Sequence, residues 1–272
     1  MQAIGICRFS YLGEGGFQVE HANLQERRDY LYAPARMEER FATFETMTLP
    51  PLKAQTDPNF TFLIVVGESL PAAYRARLEA AISDVPQAVI QAYPPGPHRK
   101  VMQTAINAVR QFDDTPCLQF RMDDDDAVAC TYIEKLRAAA QDVQTLAAKH
   151  RHIAIDFNQG LIVRPTANGL EAAPTQTAYA TAALALMIRP DVNVSVMNFA
   201  HMKMGRKMPT VTFTGEDMLI RGYNGHNDSR QKPGVKTPAF TPLDAAGKAH
   251  LRKTFAIDAD TVTARFKALA AR

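Results

Sequence analysis

Short apolar runs alternate with amphipathic segments through the first half of the chain. Four of these runs predict strands, at residues 4–10, 60–66, 88–93 and 117–122. The segment after the first run carries Met37, Phe41 and Phe44 on one helical face, and similar patterns separate the later runs. Parallel neighbouring strands need helical crossovers of this kind. The pattern therefore predicts an α/β fold with a doubly wound, mostly parallel sheet flanked by helices.

The second half has a less regular pattern. A long amphipathic helix is predicted after residue 130, and residues 152–157 and 161–164 are predicted to form a hairpin around Asn158, Gln159 and Gly160. A further apolar run covers residues 183–188, and residues 209–223 are expected to be extended and then helical. These features predict a mixed sheet. Residues 223–239, rich in turn-forming types, are predicted to form an active-site or lid loop.

The C-terminus shows two amphipathic helical patterns, at residues 244–256 and 260–271. Asp244 and Asp260 are plausible N-caps for them. We therefore expect one domain over residues 1–240 and a helical extension over residues 241–272 that packs on the same domain.

Composition narrows the functional classes. The chain has 272 residues with 46% hydrophobic and 22% charged types, which is ordinary for a folded globular protein. Its cysteines, Cys7, Cys117 and Cys130, are odd in number and widely spaced, which disfavours a disulfide scaffold or a cysteine zinc site. With no signal-like or spanning segment visible, we expect a cytoplasmic protein.

Charge is unevenly distributed along the chain. Residues 199–272 hold 13 Lys/Arg and 6 Asp/Glu, whereas residues 1–198 hold 18 and 22. The basic residues are scattered and lack the interleaved aromatic residues of nucleic-acid grooves, so we expect no nucleic-acid partner. The basic excess fits a phosphorylated substrate or peripheral contact with an anionic membrane face; a merely solvated basic tail is the alternative.

Four consecutive carboxylates, Asp123 to Asp126, directly follow the fourth predicted strand. Ligands of open α/β sheets bind at this end of the strands. Mg²⁺ or Mn²⁺ would neutralise the repulsion between these acids and could bridge them to a diphosphate. The alternative is a solvated acidic loop whose last aspartate caps the next helix.

Several segments in order resemble the rhamnosyl transferase family of bacterial glycosyltransferases with the GT-A fold. The resembling segments are Arg8-Phe9-Ser10-Tyr11, residues 36–41 and 49–55, residues 121–127, Phe157-Asn158-Gln159-Gly160, and residues 225–229. The resemblance implies a nucleotide-diphosphate sugar donor. It also implies that Asp123 contacts the donor, that Asp125 binds a divalent metal with Asp126 as a second candidate, and that His226 is a further metal ligand. A surface histidine is the alternative for His226.

The resemblance also implies a catalytic acid pair, Glu216 and Asp217, with Asp217 as the base for the acceptor hydroxyl. Acidic residues in the first turn of a helix at 218–221 are the alternative interpretation. Arg8, Phe9 and Ser10 lie where this fold builds its nucleotide pocket, although Phe9 could instead belong to the core. Two basic residues, Arg99 and Arg230, are candidate phosphate contacts or solvated side chains.

The resulting hypothesis is a metal-dependent, inverting glycosyltransferase. It would move a sugar, for which rhamnose is the family's implication, onto a hydroxyl acceptor that could be lipid-linked or a polysaccharide. A nucleotidyltransferase and a non-catalytic nucleotide- or sugar-binding protein are the alternatives. The nucleotidyltransferase interpretation is disfavoured because the sequence has no glycine-rich phosphate-binding motif near the N-terminus.

Overall fold

The protein forms a seven-stranded sheet with helices on both faces. The computed structural model describes residues 1–15, 21, 23–224 and 237–271. Its strands are β1 (Ala3–Arg8), β2 (Thr61–Gly67), β3 (Ala88–Tyr93), β4 (Cys117–Met122), β6 (His152–Phe157), β9 (Leu184–Ile188) and β10 (Thr210–Phe213). They lie in the order β10-β6-β9-β4-β1-β2-β3, in which only β9 runs antiparallel to its neighbours. The predicted mixed and mostly parallel α/β fold is confirmed.

Helices connect the parallel strands as the pattern predicts. The first half contains α1 (Leu24–Leu31), α2 (Pro34–Thr43), a π-helical turn (Phe44–Thr48), α3 (Leu49–Lys53), α4 (Ala72–Ala81) and α5 (His98–Val109). The second half contains α6 (Tyr132–Asp142), α7 (Gln144–Ala147), two 3₁₀ segments (Val196–Asn198 and His201–Arg206), α8 (Ala245–Phe255) and α9 (Ala259–Ala270).

The sheet separates two apolar clusters because successive side chains of a strand point to opposite faces. In β1, Ala3 and Cys7 join the cluster that contains Phe120 and Tyr132, whereas Ile4 joins the cluster on the other face. The central strands β1, β2, β4 and β9 are almost fully buried. This burial accounts for their continuous apolar runs.

A second sheet of five strands has the order β12-β8-β7-β11-β5. Its strands are β5 (Ala127–Val128), β7 (Gln159–Thr166), β8 (Gly169–Gln176), β11 (Leu219–Gly222) and β12 (Thr241–Pro242). The predicted hairpin around Gly160 is wrong, because β6 and β7 belong to different sheets. The observed hairpin joins β7 to β8 through Ala167 and Asn168, and Gly169 at the start of β8 has a φ of 142°, which suits glycine.

The predicted helix at residues 218–221 is also wrong. This segment is the strand β11, which lies between β5 and β7 and pairs with both. Gly160 makes the pairing with β7 possible, because a Cβ at this position would clash with the main-chain carbonyl of Leu219. Long-range pairing therefore decides the conformation of this segment, not its local pattern.

The C-terminal segment is joined to the rest by a strand and by side chains. Strand β12 pairs with β8, and α9 contacts α2, β7 and β8. Asp244 caps α8 as expected, whereas Asp258, not Asp260, caps α9 by accepting from the Thr261 amide. The extent of the two predicted units stays a prediction. Among the described residues, no helix has both the length and the apolar content that a bilayer crossing requires.

Candidate active site

Charged side chains from separate elements meet at the carboxyl edge of the seven-stranded sheet. Arg8 ends β1, Asp123 directly follows β4, and His98 begins the helix after β3. Because these three strands run parallel, their ends lie at one edge. Arg8 Nη2 donates to Asp123 Oδ1 at 3.0 Å, and Arg8 Nη1 lies 3.1 Å from His98 Nε2. The structure therefore brings together Arg8 and Asp123, both predicted as donor-binding residues.

A second guanidinium, that of Arg121, lies in the same place. A small cleft there is lined by Ile6, Arg8, Arg121, Met122, Asp123, Thr181 and Met197. The side chain of Arg121 makes no hydrogen bond or ion pair with any described residue. Burial and the neighbouring Arg8 lower the pKa of Arg121 to about 10, although Asp123 opposes this shift. The cleft therefore holds more cationic charge than its own side chains compensate.

The two arginines affect the charge states of His98 and Asp123. Burial and the positive charge of Arg8 lower the pKa of His98 to about 3, so His98 is neutral near pH 7 and its Nε2 can accept from Arg8. Burial would raise the pKa of Asp123, but Arg8 and Arg121 outweigh it and hold the pKa below the ordinary range. Asp123 is thus an ionised carboxylate, and its side chain is 47% exposed.

The four aspartates of the acidic run point in different directions. Asp124 is buried and forms an ion pair with Arg40 of α2. Asp125 Oδ2 accepts from Asn224 Nδ2 at 2.8 Å. The carboxylate of Asp126 accepts from the main-chain amides of Asp123 and Gly222, both at 3.2 Å. The run leads into β5 rather than into a helix, so it does not act as a helix cap.

Asp125 and Asp126 are in a strained electrostatic environment. Burial raises the pKa of Asp125 well above its ordinary value, and the adjacent Asp126 raises it further. Burial and the charge of Asp123 raise the pKa of Asp126 to about 7. Two buried carboxyl groups next to each other disfavour ionisation unless a cation is present.

Asp125 and Asp126 could supply only part of the ligand set of a divalent cation. Among the described residues, no group of three or more His, Cys, Asp or Glu side chains could together hold a metal ion. Mg²⁺ often binds through one or two carboxylates together with substrate phosphates, and both Asp125 and Asp126 retain acceptor lone pairs. The donor set therefore fits a metal that nucleotide phosphates help to hold. His226, the further predicted ligand, lies outside the described residues.

The other predicted donor residues have different environments. Phe9 is fully buried and packs against Phe41 and Phe44, with ring centroids 4.9 and 5.2 Å away, so its ring lies in the core. Ser10 is buried with a φ of 50°, and its hydroxyl accepts from Arg36. Arg99 is exposed near the start of α5. Arg230 lies outside the described residues.

The predicted catalytic pair lies apart from this edge cluster. Asp217 Oδ2 is 2.9 Å from His250 Nε2 of α8, and Gln159 donates to Asp217 Oδ1 at 3.1 Å. Gly222 abuts Asp125 and lies five residues after Asp217, a separation of about 16 Å along an extended chain. The structure therefore does not bring Asp217 next to Asp125, and its role as base stays a prediction.

Glu216 forms an exposed ion pair with Lys135 of α6 at 2.8 Å. It lies at an amphipathic pocket of about 190 Å³ between α6 and the ends of β6 and β10, with Phe157 and Phe213 among its lining residues. This places the two members of the predicted pair in different surroundings.

Sequence reasoning missed three polar residues of the edge cluster or acidic run: Arg121, Arg40 and Asn224. Arg121 carried a signal, because an arginine in a central strand, two positions before the acids, is seldom buried without a partner. Arg40 and Asn224 carried none, since their partners are 84 and 99 residues away in the chain.

A family model described as "Putative rhamnosyl transferase" matches residues 2–236. The chain belongs to this family of glycosyltransferases. No curated protein matches its sequence.

Solved structures of low identity are also similar in shape. One is S. aureus TarS 1-349 in complex with UDP-GlcNAc, at 10% identity over 84% of this chain and 60% of that chain, with a TM-score of 0.45. The complex of TarS 1-349 with UDP gives 9% identity, 82% and 61% coverage, and a TM-score of 0.45. A UDP-glucose pyrophosphorylase complexed with UDP-glucose is 9% identical over 82% of this chain and 91% of that chain, with a TM-score of 0.34. The chain thus spans about 60% of the TarS structures it matches.

Proposed function

We propose that this protein transfers a sugar from a nucleotide-diphosphate donor to a hydroxyl acceptor, with inversion at the sugar. One observation carries the proposal. The cleft lined by the guanidinium groups of Arg8 and Arg121 lies at the carboxyl edge of the sheet, directly beside the acidic run. Family membership supports sugar transfer, and the family's description suggests rhamnose as the sugar.

The cleft suits a diphosphate because guanidinium groups bind phosphate oxygens through charge-assisted, directional hydrogen bonds. The guanidinium of Arg121 has no hydrogen-bonding partner among the described residues, so its N–H donors are available to a ligand. His98 stays neutral and orients Arg8 without adding charge. Asp123, ionised and half-exposed, can accept from the hydroxyl groups of a ribose.

In this proposal Asp125 and Asp126 hold Mg²⁺ or Mn²⁺ when the nucleotide is bound. The metal would offset the charge that develops on the departing diphosphate. Asn224 and the amide of Gly222 donate hydrogen bonds to Asp125 and Asp126, respectively. In this proposal the chain's own contribution is to hold carboxylate oxygens and guanidinium groups near each other at the carboxyl edge of the sheet.

The proposal also includes a catalytic base for the acceptor hydroxyl. Inversion needs a carboxylate that takes the proton of the acceptor hydroxyl. Asp217 is the residue that the family resemblance implies. Its contacts with His250 and Gln159 hold the carboxylate in one orientation. An acceptor would have to extend from the acidic run to Asp217 for this carboxylate to take its proton.

The basic C-terminal quarter suggests an anionic or lipid-linked acceptor, with peripheral contact at the cytoplasmic membrane face. Co-sedimentation with vesicles containing anionic lipid should occur at low ionic strength and weaken with salt. A chain that stays in the supernatant at low salt would refute this membrane contact and leave a solvated basic tail.

The test is a panel of uridine, thymidine and guanosine diphosphate sugars that includes a rhamnose donor. Thermal shift and release of the nucleoside diphosphate would be measured with Mn²⁺ and with EDTA. We expect one nucleotide class to raise the melting temperature, and Mn²⁺ to increase the shift. NMR of the transferred sugar would report its anomeric configuration. If no nucleotide sugar stabilises the protein or is turned over, the proposed function is wrong.

A further inference from the structure

A continuous helical segment from residue 34 to residue 53 changes its winding in the middle. Helix α2 passes into the π-helical turn Phe44–Thr48 and then into α3. The amide of Leu49 bonds to the carbonyl of Phe44, which is the i to i+5 spacing of a π-helix. Pro50 and Pro51 follow at once, and a proline ring cannot approach the carbonyl four residues before it, so the winding widens here.

This segment packs against the main chain of the acidic run. Thr43 and Thr48 are five residues apart, so the π-helical winding brings both hydroxyls to the same side. The hydroxyl of Thr48 lies 3.0 Å from the carbonyl oxygen of Asp124 and 2.8 Å from that of Asp126. The hydroxyl of Thr43 lies 3.4 Å from the carbonyl of Asp124. Both threonines are fully buried.

One turn earlier, Arg40 reaches the same loop. Its Nη1 pairs with the carboxylate of Asp124, and both residues are buried, at 5% and 1% exposure. Breaking such a pair from one side leaves a buried charge, so the contact holds its partner strongly in place. Asp124 therefore points into the helical segment, while Asp123 points to Arg8 and Asp125 points to Asn224.

We propose that Arg40 and the π-helical turn are positioning elements that set the direction of every carboxylate in the acidic run. Asp124 is the anchor of the run and not a ligand. The anchor decides that Asp123 faces the cationic cleft and that Asp125 and Asp126 face Gly222. The consequence for ligand binding rests on the proposed function, whereas the positioning itself does not.

The positioning is tested by hydrogen exchange on the ligand-free protein. The double variant Arg40→Met/Asp124→Leu removes both charges together, so neither is left buried alone. We expect main-chain amides of residues 122–128 to exchange at least tenfold faster, with other segments unchanged. The matched control is Arg110→Met. Arg110 is equally buried, and its guanidinium donates to the carbonyls of Val192 and Arg189 far from the run.

A second variant keeps the test decisive if the double variant does not fold. Thr48→Val keeps the shape of the side chain and removes its hydroxyl. We expect several-fold faster exchange in the same peptide. Unchanged exchange of residues 122–128 in the folded variants, or equal acceleration in Arg110→Met, would overturn the positioning role.

The functional consequence is measured by calorimetry with UDP, dTDP and GDP in the presence of Mn²⁺. For the nucleotide that binds the wild type, we expect at least tenfold weaker affinity in the double variant Arg40→Met/Asp124→Leu and unchanged affinity in Arg110→Met. If the wild type binds none of them, the proposed function fails while the exchange result still decides the positioning. Faster exchange with unchanged affinity would show that the anchor does not serve the ligand site.

Discussion

Two acidic segments of this protein have similar sequences and opposite environments. Asp123 to Asp126 lie at the carboxyl edge of the large sheet, where Arg8, Arg121 and Arg40 surround them from three elements. Glu216 and Asp217 lie where the chain enters β11, and their basic partners among the described residues are Lys135 and His250, respectively. The sequence predicts that the first segment binds the donor and a metal, and that the second supplies the catalytic base.

The difference lies in convergence and burial. In the first segment, buried charges of both signs are held close together, and the pKa values of Asp123, Asp125 and Asp126 depart from their ordinary values. Such perturbed groups are characteristic of functional sites. In the second segment, Glu216 is exposed and Asp217 contacts His250 of α8. Clustering of acids along the chain therefore indicates a site only when the fold turns them toward a common space.

The largest expected effect comes from removing one carboxylate of the first segment. Asp125→Asn should abolish metal-dependent nucleotide binding, lowering affinity in Mn²⁺ by about 100-fold or more, because a lost metal ligand costs at least as much as a lost outer contact. Calorimetry with the nucleoside diphosphate that binds best would measure this. Asp84→Asn, a surface change near the opposite sheet edge, is the control. Equal binding by Asp125→Asn and wild type would remove the metal assignment.

Arg121→Met should weaken binding of a nucleoside diphosphate by about 10- to 100-fold, since a charge-assisted hydrogen bond contributes about 1.5–3 kcal/mol. The loss should persist in EDTA. The melting temperature should stay equal or rise, because the variant removes a partly buried cation that is repelled by Arg8. Arg252→Met, on exposed α8, should change neither quantity. Undiminished affinity would mean that the cleft does not bind the diphosphate.

His98 should make the ligand-free protein sensitive to acid. Its pKa is about 3 when folded and about 6.5 when unfolded, so protons bind preferentially to the unfolded chain as the pH falls below 6.5. This histidine should cost about 2 kcal/mol of stability between pH 7.5 and pH 5, and His98→Gln should remove that part of the loss. Urea unfolding at the two pH values measures it, with the exposed His150→Gln as control. An identical pH dependence in His98→Gln and wild type would contradict the buried neutral state.

The smallest effect on ligand binding is expected in the second segment. Asp217→Asn should leave nucleotide affinity unchanged and, through the lost His250 contact, destabilise the protein by about 1 kcal/mol. Transfer assays decide between two roles. A 10²- to 10⁴-fold fall in transfer beyond the stability effect would establish Asp217 as the base, as expected of general-base catalysis. A fall that only follows the lost stability, matched by His250→Gln, would assign Asp217 to anchoring α8.

Sequence reasoning succeeded where local pattern and topology agree. The strands β1 to β4 and the helices between them follow from apolar runs and periodicity, and the acids after β4 fall at the sheet edge as expected. It failed at two places between residues 158 and 222. The hairpin signal at Asn168 and Gly169 was overlooked, and the segment at 218–221 was expected to be helical.

What the sequence by itself determined is the parallel half of the sheet and the identity of the acids that follow β4. These depend on contacts between neighbours in the chain and on the rule that parallel strands end together. Only the tertiary structure decided which way each acid points. Arg40 and Asn224 meet the acidic run through packing of elements that are distant in sequence, and the burial that shifts the pKa values of Asp125 and Asp126 exists only once those elements have packed.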